Sequence, residues 1–484
     1  MFVGSEQILK VLSQFNPWWS CREGSDLPSW QRASFPELAR WVEHPPAARA
    51  VLLSGARQVG KTTMLRQLVK KLLDAAVPPG NILYATFDHP VLKLAGIDTV
   101  LESWRSREPR QPGVEYLLLD EAQFIPNWGT WVKHQVDFDP HRRIVFTGSA
   151  MPLQVDDPES GVGRWHTIRL TTLSFFEFLQ LRGVQVPRLP QLGSLHQLFK
   201  WTDGEIRSAS DNAGELSGHF HDYLLRGGFP QTVRMENLSE AQRLLREDTI
   251  DKVLKRDMTA IFGVRRVVEL EHLFLYLCLH DGGILNLEEV GGELSLSRST
   301  VQNFLQLLEA AHLVFRLSPF GYGKEILRGR PKVYLADAAI ASAVMLRGRE
   351  ALEDPQLLGV ATESAVFKHL YGRFYKQNVR FSYWRGKRDL EVDVVGQVAG
   401  QVIPFEVKYR GQNHTGPRDL KGLLQFCQER ECPRGYVVTR SLQDFGVLRG
   451  LSDPLLQIMK VPAPLFCYWM GQSELHESQS GLSM

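Results

Sequence analysis

The sequence predicts an α/β multidomain protein, and three observations carry that expectation. From Ala48 to about Ala150 short apolar runs alternate with helix-like stretches, the pattern of a parallel sheet. A mostly helical region follows and runs to about Phe320; from about Leu358 a helix, three strand-like runs, a second helix and another strand make a further α/β unit. The 484 residues suit about three domains at roughly 100–200 residues each. With 43% apolar and 23% charged side chains, disorder and collagen are excluded, as is a single small binding module. The 56 Lys and Arg against 54 Asp and Glu leave a net charge of +2, so any electrostatic argument for a partner must be local.

The elements follow in order. MFVGSEQILKVLSQFNPWW reads as a short amphipathic helix ending near Asn16-Pro17, with no basic leader and no small-residue cleavage site. No run reaches the roughly 18 apolar residues of a membrane span, so a cytoplasmic protein without a membrane partner is expected. Cysteines at 21, 278, 427, 432 and 467 are too few and scattered for a disulfide framework or zinc site. RAVLLSG, NILYATFD, EYLLLDE and RRIVFTGSA look like buried strands. Beyond LTTLSFFEFLQL, the segments VVELEHLFLYLCLHDGG, LNLEEVGGEL and RSTVQNFLQLLEAAHLVFRL carry helical periodicity and fit a helix-turn-helix. LVFRLSPF and PKVYLAD then bracket GYGKEILRGR, which reads as a wing. VATESAVFKHLYGRFY, VRFSYWRG, LEVDVVGQV, QVIPFEVKYR, DLKGLLQFCQE and GYVVTR supply the last unit, and the final dozen residues look like a loose tail.

Gly55-Ala56-Arg57-Gln58-Val59-Gly60-Lys61-Thr62 matches G-x-x-x-x-G-K-[ST] between the strand AVLLS and the helix TTMLRQLVKKLL, whose first residues include Thr63. The glycines let backbone N–H groups curl round phosphates, the helix N-terminus adds positive potential, Lys61 reaches the β/γ oxygens of ATP, and Thr62 ligates Mg2+. Asp120 and Glu121 end the third strand, where Asp120 would hold the Mg2+ and Glu121 would orient or deprotonate the attacking water. In RRIVFTGSA, Thr147 or Ser149 is placed to sense the γ-phosphate.

The stretches GARQVGKTT, LLLDEAQ, FTGSA, LSFFEFL, YLLRGGFPQTV, KVYLAD and EVDVV with PFEVK resemble those of bacterial and archaeal AAA-type or STAND-type ATPases that carry the domain of unknown function 4143 at their C-terminus. The resemblance covers nearly the whole chain. It implies an N-terminal helix and P-loop NTPase core over 1–182, a helical lid over 183–260, a winged helix-turn-helix over 261–345, and a restriction-endonuclease-like α/β domain with the tail over 346–484. It also implies that Gly228-Phe229-Pro230 lies near the adenine, with Pro230 a cofactor contact, and that Arg164 corresponds to the family's Gly-Arg step and is a candidate arginine finger. Arg142 and Arg143 are alternatives. A finger acting between subunits requires a homo-oligomer, which the sequence leaves open.

Asp393 in LEVDVV and Glu406 with Lys408 in PFEVKYR look like the PD-(D/E)XK nuclease pattern, with Glu363 on the preceding helix as a further carboxylate. Alternation puts Glu406 and Lys408 on one strand face. In a cutting enzyme Glu363, Asp393 and Glu406 would bind Mg2+ or Mn2+ and Lys408 would position water. Basic residues fall where DNA would need them: Arg298 opening the recognition helix, Lys324, Arg328, Arg330 and Lys332 on the wing, and Arg385, Lys387 and Arg388 near the acids. Two readings lead, with a sequence-specific transcription regulator, which would need a defined operator, as a third. One is an ATP-hydrolysing protein that acts on duplex or branched DNA in repair, recombination or defence, with or without a metal-dependent nuclease activity. The other is an ATP-controlled signalling switch that works through protein partners and has an inactive nuclease-like domain.

Overall fold

The four apolar runs of the N-terminal region form β1 (Ala50–Gly55), β2 (Ile82–Thr86), β3 (Glu115–Asp120) and β4 (Arg142–Gly148). They are joined by a fifth strand, β5 (Trp165–Leu170). All five are parallel, in the order β2-β3-β4-β1-β5. The sequence reading passed over β5 because it is an edge strand: only Ile168 and Leu170 are buried, while Arg169 is exposed, so it shows no continuous apolar run. The computed structural model describes residues 3–20, 27–149, 163–185, 189–321, 323, 326, 329–409 and 415–480.

Helices α1 (Ser5–Phe15), α2 (Phe35–Glu43), α3 (Lys61–Asp74), α4 (Pro90–Ala95), α5 (Ile97–Arg107) and α6 (Trp128–Phe138) accompany this sheet. Ile8 and Leu12 of α1 bury against the cluster of Leu83, Trp104, Leu117 and Phe146. The helix stops before Pro17, and Asn16 uses its amide as a strand partner: Nδ2 donates to the Tyr84 carbonyl at 2.8 Å and Oδ1 accepts from the Tyr84 N–H at 2.7 Å. That contact occupies main-chain groups of the edge strand β2 that would otherwise lack a partner.

Contacts divide the chain into one compact unit of 1–170 with 260–263 and a second of 171–259 with 264–484. The segment LSFFEFLQL, grouped with the ATPase core in the sequence reading, forms α7 (Phe175–Leu181) within the second unit. The second unit continues through short helices between 203 and 259 into α8 (Val267–Leu279), β6 (Gly283–Ile284), α9 (Leu287–Leu294), α10 (Arg298–Ala310), β7 (Val314–Pro319) and β8 (Lys332–Leu335). After α11 (Pro355–Phe374) come β9 (Arg380–Arg385), β10 (Glu391–Val398), β11 (Gln401–Lys408), α12 (Lys421–Glu429), β12 (Arg434–Thr439), β13 (Gly446–Val447), β14 (Gln457–Pro462) and α13 (Ala463–Ser480). Their nine strands make one sheet, β13-β14-β12-β11-β10-β9-β7-β8-β6.

Two features join regions that the sequence separates. Strand β7 pairs antiparallel with β8 and parallel with β9, so the strands that follow α10 and those that follow α11 share hydrogen bonds. Of the last dozen residues, expected as a loose tail, those to Ser480 are described and are helical. Helix α13 runs to Ser480, and the buried Ser473 hydroxyl donates to the Leu192 carbonyl at 2.8 Å. Cys278, Cys427, Cys432 and Cys467 are buried free thiols; Cys21 lies outside the described residues. Among the described residues no helix is long and apolar enough to cross a membrane.

Candidate functional site

The loop from Gly55 to Thr62 leaves the C-terminal end of β1, the edge at which open parallel sheets place their ligands. A Cβ at Gly55 would lie 2.3 Å from the Leu170 carbonyl oxygen, so close approach of β5 requires glycine. Gly60 takes φ +101° and Gln58 φ +61°, which curls the chain before α3 starts at Lys61. Within the loop Ala56 and Val59 are buried, whereas Arg57, Gln58, Thr62 and Thr63 are half-buried. The buried Lys61 ammonium donates to the carbonyls of Gly55 at 2.7 Å and Ala56 at 2.8 Å, spanning the loop. The first N–H groups of α3 have no intrahelical acceptor, and they supply the anion-binding element.

The acids stand as the loop requires. Buried Asp120 accepts from the Thr62 hydroxyl at 2.7 Å and Tyr84 OH at 2.8 Å on one oxygen, and from the Thr147 hydroxyl at 2.5 Å on the other. Burial, and then the Asp120 charge, pushes the Tyr84 phenol well above its usual range, so it stays a donor. Glu121 sits at φ +54°, a left-handed conformation that costs a non-glycine residue about 1–3 kcal/mol and recurs at functional sites. Its carboxylate accepts from Ser149 Oγ at 3.0 Å and from Gln123, while its own N–H donates to Thr147 Oγ1 at 2.9 Å. Thr147 is therefore tied to Asp120 and Ser149 to Glu121.

Three residues here were not singled out from the sequence. Tyr84 and Gln123 read as ordinary strand and turn residues. Arg32 is buried before the first strand, and its guanidinium donates to the Val59 carbonyl at 2.7 Å. Gln67 on α3 holds the same segment through the carbonyls of Pro28 and Trp30. Losing a hydrogen bond from a charged donor costs about 1.5–3 kcal/mol. Arg32→Ala is accordingly expected to lower the melting temperature and to raise the KM for ATP several-fold with a smaller change in kcat, read by thermal melting and phosphate release.

The arginines predicted as fingers lie at the other end of the sheet. Arg164 accepts the Ala50 N–H on its carbonyl at 3.0 Å, level with the start of β1, and its side chain pairs with Asp137 at 2.6 Å. Six residues at roughly 3.3 Å each put it about 20 Å from the P-loop of its own chain. Arg142 pairs with Glu115 and Asp139, and Arg143 donates to the Pro140 carbonyl, at the same edge. Pro230 opens a five-residue helix in the second unit. The preceding Gly228 donates to Asp337 at 2.9 Å, and a Cβ there would lie 2.5 Å from the Leu173 oxygen. Gly228 thus sits at a buried junction between the LTTLSF and KVYLAD segments, where a side chain would collide.

The C-terminal acids assemble around a residue assigned elsewhere. Lys332, expected on the wing as a DNA contact, is only 1% exposed. Its Nζ lies 2.7 Å from Glu391, 2.9 Å from Glu363 and 3.1 Å from Asp393. It cannot reach a phosphate on the surface, because β8 places it on the inward face. Asp393 spends its second oxygen on the Val407 N–H at 2.8 Å, and Glu406 pairs with Lys408. Burial works to raise Asp393, but Lys332 and Lys408 outweigh it and hold the carboxyl below the usual range. Burial and Asp393 push Glu363 up to about 7 and Glu406 up to about 8.

The expected metal set of Glu363, Asp393 and Glu406 does not fit a divalent ion in this arrangement. The first two face the Lys332 ammonium and the third faces Lys408. Among the described residues no three His, Cys, Asp or Glu side chains are grouped to hold a metal. Of the other basic residues, Arg298 is exposed and 3.3 Å from Glu288, and Arg385 pairs with Asp389 at 2.6 Å. Arg330, Lys387 and Arg388 are exposed, and the Arg330 carbonyl accepts Tyr383 OH at 2.7 Å, which anchors it to β9. Lys324 and Arg328 lie outside the described residues.

Comparison with known proteins agrees with the geometry of the first site. Residues 47–179 match the family described as an AAA domain, and the fold and loop define this region as an AAA-type, ATP-binding P-loop unit. Residues 358–458 match the domain of unknown function DUF4143, and 217–351 match another, DUF8612. The chain is similar to an uncharacterised protein of Mycobacterium tuberculosis, 27% identical over 85% of this chain and 84% of the relative. It is also similar to one of Methanocaldococcus jannaschii, 21% identical over 81% of each. Among solved structures it is similar to Aeropyrum pernix Orc1 in complex with DNA, at 15% identity and a TM-score of 0.28 over 66% of this chain and 94% of that one. Thermotoga maritima RuvB follows at 14% identity and 0.26, over 68% and 92%.

Proposed function

We propose that this chain is a Mg2+-dependent ATPase that acts on duplex or branched DNA, as in repair, recombination or defence against foreign DNA. One observation carries the hydrolytic part: Thr62, Asp120, Thr147 and Glu121 form a continuous hydrogen-bonded array at the open edge beside the P-loop. Thr62 and Asp120 are the residues that would hold the Mg2+, which neutralises phosphate charge when bound. Lys61 exchanges two loop carbonyls for phosphate oxygens. Glu121, aimed by Ser149 and Gln123, orients the attacking water and takes its proton.

The DNA part rests on placement. Helices α8, α9 and α10 followed by the β7–β8 hairpin have the order of a winged helix-turn-helix, with Arg298 at the start of its third helix. Arg330, Lys387 and Arg388 are exposed at the end of β9, two strand-ends that Tyr383 ties together. The nuclease-like unit serves in this reading as a holding surface. A salt-dependent affinity for labelled duplex or four-way-junction DNA is expected by fluorescence anisotropy. Lys387→Ala with Arg388→Ala should weaken it across sequences and reduce the slope of log K against log salt by about 2. No measurable affinity at low salt, or an unchanged slope, would count against DNA as the partner.

A second reading, the ATP-controlled switch acting through protein partners, is favoured by one observation: the ammonium of Lys332 lies among the acids that a cutting enzyme would give to metal.

A further inference from the structure

We propose that Lys332 is the resident cation of the C-terminal acidic cluster: its ammonium takes the place of a divalent metal among Glu363, Glu391 and Asp393, so this α/β unit is built without one. An ammonium has three N–H donors, and Lys332 has three carboxylates between 2.7 and 3.1 Å. Three half-buried carboxylates gathered round one point repel one another, and a cation among them relieves that repulsion. The chain supplies it from a strand about thirty residues before the first of these acids.

The strand holds its cation in place. Lys332 is paired in register with Leu317 on β7 and with Ile284 on β6, so main-chain bonds flank it on both sides. Tyr334, two residues on and therefore on the same face, donates to Glu363 at 2.6 Å. Strand β8 thus delivers a cation and a neutral donor to one carboxylate. The rest of the cluster is served by its own strands: Asp393 by the Val407 N–H, and Glu406 by Lys408. A metal entering this space would meet the ammonium at close range, and one charge would have to leave.

The inference rests on the nuclease-like reading only for what Lys332 replaces. Its test uses no DNA and no ATP, so its failure is separable from failure of the DNA reading. Free Mn2+ is counted by electron paramagnetic resonance in titrations of the full chain as wild type, Asp393→Asn, Lys332→Met and the double variant. Any ion at the P-loop is common to all four. Wild type and Asp393→Asn should bind the same number. Lys332→Met should bind one more per chain, and adding Asp393→Asn should remove it. A wild-type count that falls by one in Asp393→Asn would overturn the proposal, as would a folded Lys332→Met chain that gains none. If circular dichroism shows Lys332→Met unfolded, the comparison of wild type with Asp393→Asn decides alone: equal counts support the proposal and a lost ion sinks it.

Discussion

Lys61→Ala is expected to lower ATP turnover by at least two orders of magnitude. The ammonium is the one positive side chain buried inside the loop, where it bridges the carbonyls of Gly55 and Ala56. Charge aimed at developing negative oxygens in a site shielded from water is worth about 100–1,000-fold when removed. The substitution also removes the positive charge that Lys61 brings to the phosphate oxygens, so nucleotide affinity should fall together with kcat. Phosphate release under steady state, paired with binding of a fluorescent ATP analogue, measures both. An alanine variant that retains more than a tenth of the wild-type rate would mean that hydrolysis occurs elsewhere.

Glu121→Gln is expected to separate binding from chemistry. The amide keeps the size of the carboxyl and can still accept from Ser149 or Gln123, and it leaves untouched the contacts of Asp120 with Thr62, Tyr84 and Thr147. What disappears is the base. General-base catalysis by a positioned side chain is worth about 100–10,000-fold, and that loss should fall on kcat while nucleotide affinity changes little. Equal losses in affinity and rate would instead assign Glu121 a binding role.

The sequence made the first site legible to the extent that it is local. Strands β1 to β4 are buried on both faces and so read as apolar runs, and the P-loop motif spans eight consecutive residues. Asp120 and Glu121 follow from ending such a strand. Tyr84 was not legible, because a tyrosine inside ILYAT looks like core until the parallel register of β2 with β3 brings it to Asp120. Arg32 gave no motif at all. Arg164 is in the expected stretch, yet only the Ala50 N–H donated to its carbonyl shows that it immediately precedes the strand whose far end meets the loop.

The C-terminal acids are legible because D…ExK is a short local pattern, but their electrostatic state is not. Lys332 stands in the basic run KEILRGRPK and was counted with its neighbours as surface charge. The alternation of PKVYLAD puts Lys332 and Tyr334 on one face, and that face could be inner or outer until β8 is placed in the sheet. The partners Glu363, Glu391 and Asp393 are about 30–60 residues away in sequence, and no local spacing encodes that meeting.

Whether the ATPase answers to DNA is decided by steady-state phosphate release from the full chain with Mg2+, with and without duplex DNA, at low salt, beside Lys61→Ala. Turnover should depend on Lys61 and rise when DNA is added. Lys61-dependent turnover that no DNA substrate changes would contradict that expectation and leave the ATP-controlled switch as the function of this chain.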